Sequence, residues 1–318
     1  MITRRSLIPR LALLGVGGLA VWAVRDRIPW PPLRVEFEEG SSSPWIPIAG
    51  RALIEIPARV NGTPIRAVVD SGAQFSAIDR GLARRLQIPQ TAALPLLAYG
   101  VSGQPDLTYT VKFDLGLPGL AVHGLRAAAL EIARLSAATG RDFSLLIGRD
   151  VLRRLVIDAD FPGERVRFLA RDAFQPPSDA VAVPLRLTGG APVTPVQIED
   201  APPVEVLVDT GATGALALSA EAARQAGLLA PGRPVLQARS VSLGGLGLDR
   251  VVIARNVSLA GLRFPRTPVQ IYSPSVRGAV PPGLLGTGIL GRFRMGLDVG
   301  GARLFLVRPA PLVVRRRR

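Results

Sequence analysis

Two short strings hold the residues whose types and spacing could do chemistry. Val68-Val69-Asp70-Ser71-Gly72-Ala73 is answered 139 residues later by Leu207-Val208-Asp209-Thr210-Gly211-Ala212. Two aspartates delivered by equivalent turns make a general acid–base device. Each must leave a strand at a turn for its carboxyl to reach a cleft, and Gly72 and Gly211 let the backbone approach closely there. The hydroxyls of Ser71 and Thr210 can donate hydrogen bonds across a pseudo-two-fold axis and hold the turns together. Carboxyls held about 3 Å apart cannot both ionise near neutral pH. They share one proton and titrate as a unit. Such a pair can take a proton from water while giving one to a carbonyl oxygen, which is hydrolysis without a covalent intermediate.

A single Asp-Ser/Thr-Gly string arises by chance in roughly a fifth of chains this long. Two copies, each after an apolar strand and each followed by Ala, are far more specific. Other chemistries have less to work with. The chain has no cysteine and one histidine, His123 in "LAVHGL". Thiolate zinc sites, disulfides and a cysteine nucleophile are excluded, and His123 reads as a structural strand-end residue. No metal site and no cofactor are expected.

The elements that must position the aspartates repeat with them. "ARVNGTPIRAVVDSGA" lies over "VQIEDAPPVEVLVDTGA", a strand, a turn, and an apolar strand ending at the aspartate. Downstream, "AIDRGLARRLQI" lies over "ALSAEAARQAGL", each a short helix with an N-cap, Asp79 or Ser219. Further on, "LLIGRDVLRRLVIDADFPGERVRFL" lies over "LLGTGILGRFRMGLDVGGARLFL", which sets Asp158 and Asp298 140 residues apart. Between these blocks, "LPLLAYGVSGQPDLTYTVKFDL" and "RSVSLGGLGLDRVVIARNVSL" read as hairpins with glycine at the tip. The reading is mostly β, two similar lobes, with one or two short helices in each. A period near 140 residues is too long for a solenoid and describes two copies of one domain.

Composition agrees. The 318 residues are 48% hydrophobic and 20% charged, with 34 Gly and 29 Pro spread along the chain, which suits many short strands joined by turns. The net charge of +15 is concentrated at the ends, with +5 up to residue 34 and +4 in Arg315–Arg318, leaving +6 for the body. Nucleic-acid binding would need a basic stripe interleaved with aromatics, and there is none. The basic tail is a solvated end or a contact for anionic lipid.

The N-terminus opens with "MITRRSLIPR" and continues with a 14-residue apolar run, Leu11–Val24. That is short for a membrane span and right for a signal-peptide core. Thr3-Arg4-Arg5 before a hydrophobic pair resembles a twin-arginine export signal. Cleavage after Ala23 and retention as an inner-membrane anchor are both open, and either implies export to the periplasm or beyond. The expected organisation is 1–24 signal or anchor, 25–48 linker or pro-segment, 49–172 first lobe, 173–180 linker, 181–309 second lobe and 310–318 basic tail.

Over roughly residues 49–308 the chain resembles the bacterial retropepsin-like aspartic proteases, with two lobes fused in one polypeptide. "LLIGRDVL" (145–152) is very close to the retroviral pattern Ile-Ile-Gly-Arg-Asn/Asp-x-Leu, while the second lobe keeps "LLG" (284–286) and replaces the rest with "TGIL". The resemblance implies an all-β bilobal fold of tandem barrel lobes, Asp70 and Asp209 as the catalytic pair, and structural roles for Gly148 and Gly286 behind the loops. It leaves the Arg149–Asp150 pair unneeded in one lobe. "AYGVSG" resembles a flap tip, which would put Tyr99, Gly100 and Gly103 over the substrate, although Tyr99 also reads as a strand residue packed on the sheet. Gly244, Gly245 and Gly247 mark the counterpart hairpin. The acidic pair that often follows the retroviral motif is missing, which argues against inter-lobe salt bridges. The activity implied is an exported aspartic endopeptidase acting on polypeptides, monomeric because one chain supplies both halves. The alternative is a catalytically idle peptide-binding or scaffolding protein of the same fold.

Overall fold

The computed structural model describes residues 20–22, 33–99, 106–242, 245–272 and 282–309. The chain is mostly β, in two lobes of the same design. In the first, strands Glu55–Val60 and Thr63–Val69 form a hairpin closed by Asn61 and Gly62, both at positive φ (46° and 85°). That is the two-residue turn an Asn-Gly pair favours, because its twist matches the strands. The outgoing strand pairs in parallel with Leu145–Ile147, which pairs antiparallel with Ala77–Asp79, itself parallel to the end of Leu120–Leu130. The second lobe repeats this order with Val204–Val208, Gly283–Leu285, Leu216–Ser219 and Leu262–Tyr272. Short strands buried on both faces read as continuous apolar runs, as Ala67-Val68-Val69 and Leu145-Leu146-Ile147 do.

The two N-capped helices are present. Asp79 accepts from Leu82 N (2.9 Å) before Arg80–Arg85, and Ser219 accepts from Ala222 N (3.1 Å) before Ala220–Gln225. The first lobe holds one helix more than the expected two. Ile132–Thr139 joins Arg80–Arg85 and Arg149–Leu152, and it stops at Gly140 in the left-handed conformation. Both hairpins also form, Gln90–Tyr99 with Asp106–Leu117 and Leu236–Ser242 with Gly245–Leu259. Within the apolar run read as signal or anchor, Ala20–Trp22 pair antiparallel with Leu97–Tyr99 on the outer edge of the first hairpin. No helix among the described residues is long and apolar enough to cross a membrane.

A third, six-stranded sheet joins the lobes. Leu155–Asp160 from the first lobe lies antiparallel to Arg294–Asp298 from the second, with each lobe's outer strand alongside. Here the expectation of no inter-lobe salt bridges is corrected. Asp158, almost fully buried, takes Arg167 of its own lobe (2.8 Å) and a two-pronged contact from Arg294 of the other (2.9 and 2.8 Å). Asp298 reciprocates with Arg303 of its own lobe (3.0 and 2.7 Å) and Arg171 of the first (2.9 Å). Trp45 lies under two of these arginines, Arg167 and Arg294, at ring-to-guanidinium distances of 4.6 and 5.5 Å, and under Arg165, which pairs with Asp160, at 4.5 Å. The acids absent after the Asp-Ser/Thr-Gly strings are replaced by acids one sheet away.

Candidate active site

Asp70 follows the strand Thr63–Val69 and Asp209 follows Val204–Val208. Each is fixed by its backbone to the central strand of its lobe, Asp70 N to Ile147 O and Asp209 N to Leu285 O, both 2.9 Å. The two turns face each other at the lobe junction and exchange hydrogen bonds in both directions. Ser71 N donates to Thr210 Oγ1 (2.9 Å) and Thr210 N to Ser71 Oγ (3.0 Å). The hydroxyls then donate onward across the junction, Ser71 Oγ to Val208 O (2.7 Å) and Thr210 Oγ1 to Val69 O (2.8 Å). All four bonds are buried, so each side chain satisfies an amide and a carbonyl that would otherwise be unpaired in the opposite lobe.

The glycines show how close the carboxyls come. A Cβ placed on Gly72 would lie 2.5 Å from Asp209 Cγ, and one on Gly211 would lie 2.5 Å from Asp70 Cγ. Each glycine leaves room for the other lobe's aspartate. Inner oxygens are anchored locally: Asp70 Oδ1 accepts from Gly72 N (2.9 Å) and Ala73 N (3.0 Å), and Asp209 Oδ1 from Gly211 N (2.8 Å). The Oδ2 atoms of both have no hydrogen-bond partner in the protein among the described residues, and both side chains are fully buried.

Burial pushes the Asp70 carboxyl up to about 6, against the pull of the Ala73 amide, the neighbouring Asp209 carboxyl, the Gly72 amide and the Arg149 charge. Asp209 is raised well above the ordinary carboxylate range, by burial first and then by the charge of Asp70. Two buried carboxyls, each packed against the glycine beside the other, cannot both ionise near neutral pH, so the pair shares one proton and titrates as a unit. A water resting between the two Oδ2 atoms would meet one acceptor and one donor.

Behind the loops, Gly148 and Gly286 sit where the resemblance requires glycine. A Cβ on Gly148 would lie 2.5 Å from the Phe75 carbonyl carbon, and one on Gly286 would collide with the Gly214 and Ala212 carbonyl oxygens. Beyond them the lobes differ. Asp150 Oδ1 accepts from Ser76 N (3.0 Å) and Ser76 Oγ (2.8 Å), and burial pushes its carboxyl up to about 6. In the second lobe these positions are Gly288 and Ala215, and backbones meet directly, Gly288 N to Gly214 O at 3.0 Å. The contact of Thr287 Oγ1 with the Ala52 carbonyl of the first lobe (2.6 Å) was not legible as a functional position; the second-lobe departure "TGIL" was its only signal.

The hairpin residues are reached in part. Tyr99 ends its strand opposite Ala20, Gly245 pairs with Ser242, and Gly247 pairs with Ser240, where a Cβ would meet the Ser240 hydroxyl at 2.8 Å. Gly100, Gly103 and Gly244 lie outside the described residues. His123 stands half-exposed between Glu36 (3.2 Å) and Asp114 (3.5 Å), a surface cluster with no part in the dyad. Among the described residues no group of three or more His, Cys, Asp or Glu is arranged to hold a metal ion.

Two kinds of comparison with known proteins find matches and a third finds none. The profile of a family described as aspartyl protease matches the chain twice, over residues 56–151 and 194–291. Among solved structures, a retropepsin-like aspartic protease from Rickettsia conorii is similar at 18% identity and a TM-score of 0.30, over 40% of this chain and 87% of that one. None of the curated proteins matches.

Proposed function

We propose that this chain, which belongs to the aspartyl protease family, hydrolyses internal peptide bonds of polypeptides with a water activated between Asp70 and Asp209. The observation that carries the reading is the reciprocal burial of the two carboxyls, each seated against the other lobe's glycine with one oxygen unbonded. The ionised aspartate takes a proton from the water as its oxygen attacks the carbonyl carbon, and the protonated one gives its proton to the carbonyl oxygen. The tetrahedral intermediate then collapses: one hydroxyl gives its proton to the aspartate that is now ionised as the carbonyl re-forms, the C–N bond breaks, and the other aspartate passes the proton gained from water to the leaving amine. Proton traffic closes on the dyad, so no metal or cofactor enters the cycle. Ser71, Gly72, Thr210 and Gly211 hold the geometry, and the hairpins ending at Tyr99–Gly103 and Gly244–Gly247 are the proposed flaps.

Residues 49–172 and 181–309 are the proposed lobes, one chain supplying a complete site without a partner. The Arg4-Arg5 pair and the apolar run Leu11–Val24 support export, with the segment cleaved or kept as an anchor. The test incubates residues 35–318, as wild type and Asp70→Asn, with a proteome-derived peptide library from pH 4 to 7.5, and reads products by mass spectrometry. Products from the wild type alone support the reading and give the subsite preference. Silence from a folded wild type refutes general peptidase activity and moves the peptide-binding reading ahead of it.

A further inference from the structure

The two halves of the repeat diverge directly beneath the dyad. Gly148 is followed by Arg149 and Gly286 by Thr287. Their main chains act alike, Arg149 N donating to Ala73 O (2.9 Å) and Thr287 N to Ala212 O (2.8 Å). The Thr287 hydroxyl ends on the Ala52 and Ala212 carbonyls. Arg149 instead runs a guanidinium under the first catalytic turn, where Nη1 donates to Ser71 O (3.3 Å) and Gly72 O (3.1 Å). The residue is 5% exposed and its Nε has no hydrogen-bond partner among the described residues.

A buried cation is costly unless an anion balances it. Four charged groups face Arg149: Asp70 and Asp209 in the dyad, Asp150 beside it, and Arg153 one turn on. Asp150 directs its Oδ1 at the amide and hydroxyl of Ser76, while its Oδ2 has no hydrogen-bond partner among the described residues. Arg153 is exposed, adds positive charge and bonds to Gly190 O (3.1 Å). The guanidinium donates its own hydrogen bonds to Ser71 O and Gly72 O, in the turn that carries Asp70, so the dyad is the counter-charge it is aimed at.

We propose that Arg149 is a positioning residue that sets the pH range in which the dyad is singly ionised, its buried positive charge balancing the one negative charge left when Asp70 and Asp209 share a proton. The inference rests on the dyad reading above. A doubly protonated dyad leaves the guanidinium unbalanced, and a doubly ionised one outnumbers it. Removing the charge takes a favourable cation away from both ionisations, so both apparent pKa values of the pair rise, by on the order of one pH unit.

The experiment uses the full chain as wild type, Arg149→Gln and Arg149→Lys. Carbon-13 NMR of aspartate-labelled protein follows the dyad carboxyls through pH, with resonances assigned by Asp70→Asn and Asp209→Asn, and needs no turnover. The pH–rate profile on a cleaved peptide is the second readout. Arg149→Gln should move both titrations, and both limbs of the profile, upward by about one unit, while Arg149→Lys stays close to wild type. A folded Arg149→Gln chain that titrates like wild type overturns the proposal, because a packing role would lower activity without moving the limbs. The predicted titration shift without cleavage of any peptide refutes the protease reading and leaves this inference standing. Should Arg149→Gln not fold, it is remade in the Asp70→Asn/Asp209→Asn chain. Folding there supports charge balance, and failure there too overturns it.

Discussion

Thr210→Val tests the exchange of bonds at the lobe junction with little change of shape. The substitution keeps the side-chain volume and removes only the hydroxyl. Two buried bonds go with it, Thr210 Oγ1 to Val69 O (2.8 Å) and Ser71 N to Thr210 Oγ1 (2.9 Å). The Ser71 amide is left as an unsatisfied buried donor, at about 1–3 kcal/mol, and the donated bond adds about 0.5–1.5 kcal/mol. The expected loss is therefore about 2–4 kcal/mol. Thr210→Ser is the control, keeping both bonds and losing one buried methyl group, at about 1 kcal/mol. Guanidinium denaturation measures both, and a fall in midpoint at constant slope marks a change of stability. The valine protein should unfold well before the serine protein and lose hydrolysis with it, because Gly211 and Asp209 follow from the same turn. Equal midpoints for the two variants would mean that the cross-lobe bonds contribute nothing net, and that the lobes are held by the six-stranded sheet alone.

Three further outcomes are expected. Asp70→Asn and Asp209→Asn should each lower peptide hydrolysis by on the order of 10³-fold with an unchanged circular-dichroism spectrum; residual activity near wild type in either removes the dyad. The folded carboxyl of Asp70, raised from 3.8 to about 6, holds its proton better than the unfolded chain does. Its stabilising contribution is full below pH 3.8 and is lost as pH rises through about 6. Denaturation midpoints should fall between pH 4 and 7 in wild type and fall less in Asp70→Asn, and parallel curves would refute the shift. Finally, Asp298→Asn weakens the contacts to Arg303 and to Arg171 across the junction, where both arginines are about 40% exposed and stay hydrated. The cost should be about 1–3 kcal/mol. Arg171→Ala should reproduce the cross-lobe share by the same denaturation assay, and an unchanged midpoint in both would strip the clamp of any role.

Local features of this fold were legible because they depend on near neighbours. The strand ends at Asp70 and Asp209, the Asn61-Gly62 turn and the caps at Asp79 and Ser219 are each written within a few residues. The sheet between the lobes was not. Leu155–Asp160 meets Arg294–Asp298 across more than a hundred residues, and nothing in either strand's periodicity names its partner. Asp158 and Asp298 thus read as structural acids at strand ends, while the ion pairs they make across the lobes were expected to be absent. The recurrence of an arginine across the hairpin from each, Arg167 and Arg303, was the usable signal. Ile132–Thr139 was missed for another reason: its stop signal, Gly140, falls in a stretch without a clear counterpart in the second copy.

The departures from symmetry are as informative as the repeat. Where the first lobe holds its loop with Ser76 against Asp150, the second has Ala215 against Gly288, and a Cβ on Gly288 would lie 2.6 Å from Ala215 N. The two solutions are exclusive: a carboxylate bridging to a hydroxyl needs space, and direct backbone contact needs it gone. Changing one member alone, Asp150→Gly or Gly288→Asp, leaves buried donors unpaired or forces a clash, so each pair must change together. The same logic reaches the dyad. In a symmetric pair of identical halves, a guanidinium beneath one catalytic turn would recur beneath the other. On one chain the two positions are free to differ, and here Arg149 stands opposite Thr287.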